Sequence, residues 1–132
     1  MNHRRLARVF AFETIYADTF SGDVVEEAVL DTTNMQGKAN QFAEQLIVGV
    51  RNEKEQLDAA LQEFSPKRKM ERFPKVELTI LRMAAWELLH PQEDTPAKVV
   101  INEAVLLAKE FGGETSYKYI NAILHNLAAS RQ

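Results

Sequence analysis

The chain has 132 residues, of which 45% are hydrophobic and 27% charged, with a formal net charge of -3 and no cysteine. That is enough chain for one hydrophobic core, and the composition is that of an ordinary globular domain. The missing cysteines exclude disulfides and thiolate metal sites, and the acid excess argues against a domain that coats nucleic acid through bulk positive charge.

Local basic patches remain open. His3, Arg4, Arg5 and Arg8 cluster at the start, and Lys67, Arg68, Lys69, Arg72 and Lys75 in the middle. The basic start is not followed by an apolar run and cleavage site, and no apolar run reaches about 18 residues, so a cytoplasmic protein is expected.

Taken in chain order, the pattern predicts helices throughout. Leu6, Val9 and Phe10 repeat at helical spacing, with Ala7 and Ala11 filling in, so the first helix is expected from about Asn2 to Asp18. A turn is expected at Ser21-Gly22. Asp23 and Glu26 have the spacing of a capping box for a short second helix carrying Val25, Ala28 and Val29. Ala39, Phe42, Ala43, Leu46, Ile47 and Val50 form the stripe of a third helix ending near Arg51. Asn52 and Glu55 read as another capping box, opening a fourth helix with Leu57, Ala60, Leu61 and Phe64 inward. Ser65-Pro66 is placed to start a short basic helix.

Pro74 opens the next main helix, which ends near His90-Pro91. Thr95-Pro96 is a cap-then-proline start for the one after it. Ala104, Leu107, Ala108 and Phe111 mark the buried face of that helix, and Gly112-Gly113 ends it. Thr115 or Ser116 caps the last helix, with Ile120, Leu124 and Leu127 inward. No segment alternates with a period of two, so no sheet is expected. The expectation is an all-α fold: one compact, bundle-like domain over residues 1–132, with about six to seven helices.

Catalytic signatures are missing. There is no glycine-rich phosphate loop, no G-x-S-x-G and no H-E-x-x-H. Glu87 and His90 form one E-x-x-H, but a di-iron bundle needs two such pairs, and a histidine at a helix end is favoured by the helix dipole alone. No metal, cofactor or enzymatic activity is expected.

Arg5, Arg8, Phe12 and Tyr16 lie on successive turns of the first helix. Guanidiniums with an aromatic neighbour suit single-stranded RNA. From periodicity alone, a solvated N-terminal face with Phe12 and Tyr16 in the core is the favoured alternative. On the last helix Tyr119 stands about 100 degrees from Ile120, off the buried stripe and beside Lys118. It reads equally well as a nucleotide contact or as a boundary tyrosine. Arg82 and Glu103 sit in apolar helices and are expected to be structural, paired charges.

Residues Pro96 to Asn121, P-A-K-V-V-I-N-E-A-V-L-L-A-K-E-F-G-G-E-T-S-Y-K-Y-I-N, resemble the signature of the NusB family of bacterial transcription antitermination factors. Arg5, Ala7, Arg8, Ala11 and Tyr16 are similar to that family's N-terminal pattern. Val76, Glu77, Leu81, Arg82, Ala84 and Glu87 are similar to its V-E helix. The resemblance implies an all-α protein that pairs with NusE, a small-subunit ribosomal protein. It also implies binding to the boxA element of leader RNA as a single strand, and entry into a complex on RNA polymerase that suppresses termination in ribosomal RNA operons.

By the same resemblance, Arg4, Arg5, Arg8 and Tyr16, with Ser116, Lys118 and Tyr119, are the RNA-binding candidates, and Glu77 is the partner-facing candidate. The chain departs from the family at Glu13, where glutamine is common, at Leu6, which interrupts the arginines, and at Ala122, which replaces a glycine. The alternative reading is a helical protein-interaction module that has lost RNA binding. The oligomeric state, including a homodimer, is left open.

Overall fold

A computed structural model of the chain describes residues 3–21 and 37–131. It contains five α-helices: α1 (His3–Ser21), α2 (Lys38–Gln62), α3 (Lys75–Leu89), α4 (Ala97–Phe111) and α5 (Ser116–Ala129), with a 3-10 turn at Met70–Arg72. There is no strand among the described residues; Gln92 and Thr95 form an isolated bridge in the α3–α4 connection. The chain divides into two compact units, Met1–Asn52 and Glu53–Gln132.

In the first unit, Ala7, Ala11, Phe12 and Ile15 of α1 are buried, and so are Ala39, Phe42, Ala43, Leu46, Ile47 and Val50 of α2. Both sets follow the 3.6-residue period, which places them on one face of each helix. Arg51 clamps Asp18 with two parallel hydrogen bonds, Nε to Oδ2 at 2.8 Å and Nη2 to Oδ1 at 2.9 Å. This fork geometry ties the C-terminal end of α1 to α2. Helix α1 runs to Ser21 rather than stopping near Asp18. The short helix expected around Asp23 and Glu26, with the turn at Gly22, lies outside the described residues.

The break expected at Asn52 is a kink instead. Helix α2 continues to Gln62, with one non-helical residue, Glu53, at φ -114 and ψ 18. The Glu53 carboxylate accepts a hydrogen bond from Trp86 Nε1 at 3.1 Å and pairs with His90 Nε2 at 2.9 Å. A side chain fastened to the end of another helix gives this kink an identifiable cause. Beyond it, Leu57 and Leu61 resume the buried stripe.

The short helix expected from Ser65-Pro66 does not form. Gln62 Nε2 donates to the carbonyls of Ser65 at 2.7 Å and Arg68 at 3.0 Å, and its Oε1 accepts the Met70 N–H at 2.9 Å. The Ser65 hydroxyl donates to the Arg68 carbonyl at 2.8 Å. Side chains thus hold backbone groups that a helix would need for its own ladder. What remains is a bent segment followed by the single 3-10 turn.

Helix α3 is buried at every position from Glu77 to Leu88. It packs with α4 and α5, which also pack on each other. Pro74 and Pro96 occupy the N-cap positions of α3 and α4, so Thr95 lies one residue further out than a cap. Gly112 caps α4 at φ -97, an extended rather than left-handed conformation. A Cβ there would lie 2.6 Å from Ser116 Oγ and 2.7 Å from the Ala108 carbonyl oxygen, so the glycine is needed for close approach. Thr115 makes no side-chain cap at the start of α5. The Ser116 hydroxyl donates to the Gly113 carbonyl at 3.1 Å. Ile120, Leu124 and Leu127 are fully buried. Among the described residues there are five helices: the expected third and fourth are joined through the Glu53 kink, the short basic one is replaced by a bent segment and a 3-10 turn, and the expected short second helix lies outside the described residues.

Candidate nucleic-acid interface

The N-terminal candidates divide by depth. Arg5 is exposed and Arg4 half-buried, whereas Arg8 is only 4% exposed. The guanidinium carbons of Arg4 and Arg8 stand 4.9 Å and 5.2 Å from the centroid of the Phe42 ring. Phe42 is therefore a shared cation–π platform that fixes two of the three arginines. Arg8 presents little surface where it stands, and Arg4 and Arg5 carry most of the accessible charge.

Tyr16 is half-buried. Its ring stacks on Phe12 at 5.5 Å between centroids and meets Phe20 edge-on at 4.8 Å. Phe12 belongs to the core, so the edge of α1 carrying Arg5, Arg8, Phe12 and Tyr16 descends inward in its middle and emerges at its end. Phe20, with 62% of its surface exposed, extends the aromatic row outward. The sequence reading missed it by ending the helix too early; its i+4 spacing from Tyr16 was the available signal.

The second group is built at the start of α5. Ser116 is buried, and its hydroxyl is committed to the turn from α4; Lys118 is exposed; Tyr119 is half-buried. Tyr119 does not stand alone. Its ring lies 5.5 Å from that of Phe73, tilted by 49°, and the Arg68 guanidinium sits 5.0 Å from the Phe73 centroid and 5.6 Å from that of Tyr119. The Tyr119 phenol is pushed up from 10.0 to about 12 by its burial and by the neighbouring Glu77 carboxylate, which accepts its hydrogen bond, against the opposing pull of Arg68.

Glu77, expected to face a partner, is 6% exposed and holds this tyrosine in place. Phe73, Arg68 and Gln62 were not singled out individually from sequence. Arg68 was visible only as part of a charge cluster, and Gln62 acts through backbone contacts that no residue pattern announces. Lys67, Arg68, Lys69 and Arg72 line an open concavity of about 720 Å³ with Pro74. The chemistry on offer is a tilted aromatic pair under a planar cation, bordered by further cations. This arrangement can stack a base and neutralise its phosphate.

Arg82 is buried and clamps Asp58 through Nε–Oδ1 at 2.7 Å and Nη2–Oδ2 at 2.8 Å, joining α2 beyond its kink to α3. Glu103 is buried in α4. His90 ends α3, with its ring stacked on Trp86 at 4.8 Å. Among the described residues no three of His, Cys, Asp and Glu gather to hold a metal ion, and no helix is long and apolar enough to cross a membrane.

Comparison with known proteins gives a consistent answer. The family model of the NusB family matches residues 5–129. The chain is 38% identical to the transcription antitermination protein NusB of Bacillus mycoides (strain KBAB4), over 94% of this chain and 95% of that one. It is similar in structure to NusB of T. maritima, with a TM-score of 0.87 and 32% identity, covering 96% of this chain and 90% of the other. It is also similar to a chain in a solved complex of the antitermination factors NusB and NusE with double-stranded RNA, with a TM-score of 0.82 and 25% identity, covering 98% of each. A family match that spans nearly every helix described above, together with relatives alike over their whole length, places the chain in the NusB family.

Proposed function

We propose that this protein is a transcription antitermination factor that binds boxA-type leader RNA together with NusE and so supports transcription of ribosomal RNA operons. The observation that carries the reading is the family match over residues 5–129. It is supported by the likeness to a chain from a NusB–NusE–RNA complex, and by two basic-aromatic clusters, one in each unit, of the kind that RNA binding requires. In this reading the whole chain acts as one RNA- and protein-binding domain. It works by binding rather than catalysis, needs no cofactor or metal, and is cytoplasmic.

Arg4, Arg5 and Tyr16 supply the contacts of the first cluster, with Arg8 held on Phe42 behind them. Lys118 and Tyr119 supply those of the second, with Ser116 setting the turn and Glu77 orienting the tyrosine. Arg82 and Glu103 serve the fold. The stacking platform at Tyr119 favours an unpaired base, since a ring can reach the face of a base only outside a duplex.

The test measures RNA binding by the chain, by its NusE homologue and by the two together. It uses a boxA strand, a scrambled strand and a boxA duplex. Tight binding of the boxA strand by the pair, and weaker binding of the other two, is expected. Equal affinity for boxA and scrambled strands removes the assignment. A preference for the duplex removes its single-stranded part. Retention of NusE binding with no affinity for any RNA establishes the alternative, an interaction module without RNA, for which Glu13 and the net charge of -3 speak.

A further inference from the structure

The second unit carries a second basic feature, of which the reading above uses only Lys118. A groove of about 460 Å³ runs between α4 and α5, with Lys98, Asn102 and Lys109 on one side and Lys118, Asn121 and His125 on the other. No acidic side chain lines it, in a chain whose net charge is -3. Among the described residues none of its three lysines pairs with a carboxylate. All six of these side chains are exposed. The floor is provided partly by Tyr117, whose half-buried ring holds the Lys109 ammonium 4.8 Å from its centroid.

The spacing along the helices is regular. Lys98 and Lys109 lie about three turns apart on the same edge of α4, roughly 16 Å along its axis. Lys118, Asn121 and His125 follow one edge of α5 at successive turns. A row of cations and amide donors facing another row, with no competing acid, matches a linear chain of regularly spaced negative charges. An isolated carboxylate or a compact ligand would use one end only. The groove also begins at Lys118, which neighbours Tyr119 on the first turn of α5.

We propose that the α4–α5 groove carries the phosphodiester backbone of the RNA strand beyond the nucleotide stacked at Tyr119. This rests on the RNA-binding function proposed above and extends its footprint from Lys118 along a surface that, beyond that residue, neither the sequence reading nor the family match marks as a site. The lysines neutralise successive phosphates, the asparagines donate to their oxygens, and Tyr117 holds one ammonium in place by cation–π attraction. Each lysine engaged with a phosphate adds about one unit to the slope of log affinity against log salt.

The test uses the full chain with its NusE homologue and two RNAs: a boxA strand, and the same strand extended by about ten nucleotides at each end. Binding is followed by fluorescence anisotropy across a salt series, with each variant checked by its melting curve. The double variant Lys98→Ala/Lys109→Ala is expected to bind the extended strand roughly tenfold more weakly, with its salt slope flattened by about two units. It should bind the short strand as the wild type does, and Lys98→Arg/Lys109→Arg should retain the wild-type slope. Equal losses on both strands also support the groove, placing it under boxA itself. Unchanged binding of both strands, beside a loss in Tyr119→Ala, overturns the groove while leaving the functional reading intact. Loss of NusE binding in the absence of RNA overturns it too, making the groove an acceptor for an acidic protein surface. Failure of the wild-type pair to bind either RNA overturns both readings.

Discussion

At Tyr119 the proposed RNA contact and the fold meet in one side chain. Its ring is the part that an RNA base can use, and removing a stacking aromatic costs about 1–3 kcal/mol of binding. Tyr119→Ala is therefore expected to lower RNA affinity while the protein still folds and binds NusE. The hydroxyl has its own task, because it donates a hydrogen bond to the buried Glu77. Stacking on a base needs the ring and not the hydroxyl, so by that measure alone Tyr119→Phe is harmless. The structure predicts that it keeps RNA binding but loses about 1 kcal/mol of stability through the carboxylate left without its donor. The phenol is raised from 10.0 to about 12, so the stability it contributes is complete below pH 10 and is lost as the pH climbs toward 12. An ultraviolet titration should show a late-ionising tyrosine that disappears in Tyr119→Phe. Arg82 is a simpler case. Its two short bonds to Asp58, on a pair only 11% and 29% exposed, make Arg82→Met costly by about 2–3 kcal/mol, short of a fully buried pair because Asp58 stays partly solvated. RNA affinity of the folded fraction should not change, and a double-mutant cycle with Asp58→Ala should show the losses to be less than additive.

At the scale of elements, two junctions hold the second unit's helices in register. The first is the kink at Glu53. The hydrogen bond from His90 holds the Glu53 carboxyl below its usual value, with burial opposing and Trp86 adding to the effect. A lowered carboxyl pKa stabilises the fold above the unfolded value of about 4.5, and this is lost as the pH falls through the folded value. Glu53→Gln should therefore lower the melting temperature at neutral pH, and its difference from wild type should shrink below about pH 4.5. A constant difference down to acid pH would mean that the kink is held by packing alone. The second junction is the turn from α4 to α5. Gly112→Ala places a Cβ against a backbone carbonyl that cannot move aside, and should cost about 1–3 kcal/mol. The same change displaces Ser116, and with it the first turn of α5, so RNA binding should weaken along with stability. Gly113→Ala, where a Cβ meets nothing within 4 Å, is the matched control and should be tolerated.

For the molecule as a whole, charge sets the limit. A chain of net charge -3 with its cations gathered in a few places can neutralise only a few phosphates. RNA binding by the chain alone is expected to be weak and its salt dependence shallow, and NusE should strengthen it by adding contacts of its own. Linkage then requires RNA to strengthen NusE binding by the same factor. Titrations run around the full cycle at fixed salt check this directly; equal RNA affinity with and without NusE would show the two sites to be independent.

Helical periodicity is local, so the buried stripes on α2 and α5 could be read directly from residue order, as could the resemblance carried by Pro96 to Asn121. On α4 the expected stripe holds at Ala104, Leu107 and Ala108 but not at Phe111, which is exposed at the end of the helix; on α1 the buried face is Ala7, Ala11, Phe12 and Ile15, with the expected Leu6, Val9 and Phe10 half-buried beside it. The absence of alternating segments was likewise sufficient to expect no sheet. Residue order did not determine how each stripe was connected or what the polar side chains would touch. The break at Asn52 became a kink because Glu53 reaches Trp86 and His90, distant in sequence. The helix at Ser65 was lost because Gln62 binds the backbone that would have formed it. Arg8 packs on Phe42 with little surface in solvent, and Glu77 is buried beside Tyr119. The groove between α4 and α5 joins residues from two separate stretches that show no common pattern in sequence. Apolar burial repeats with the helix and so is written along the chain, whereas the pairing of charges, amides and rings depends on which helices meet, and only the tertiary structure decides that.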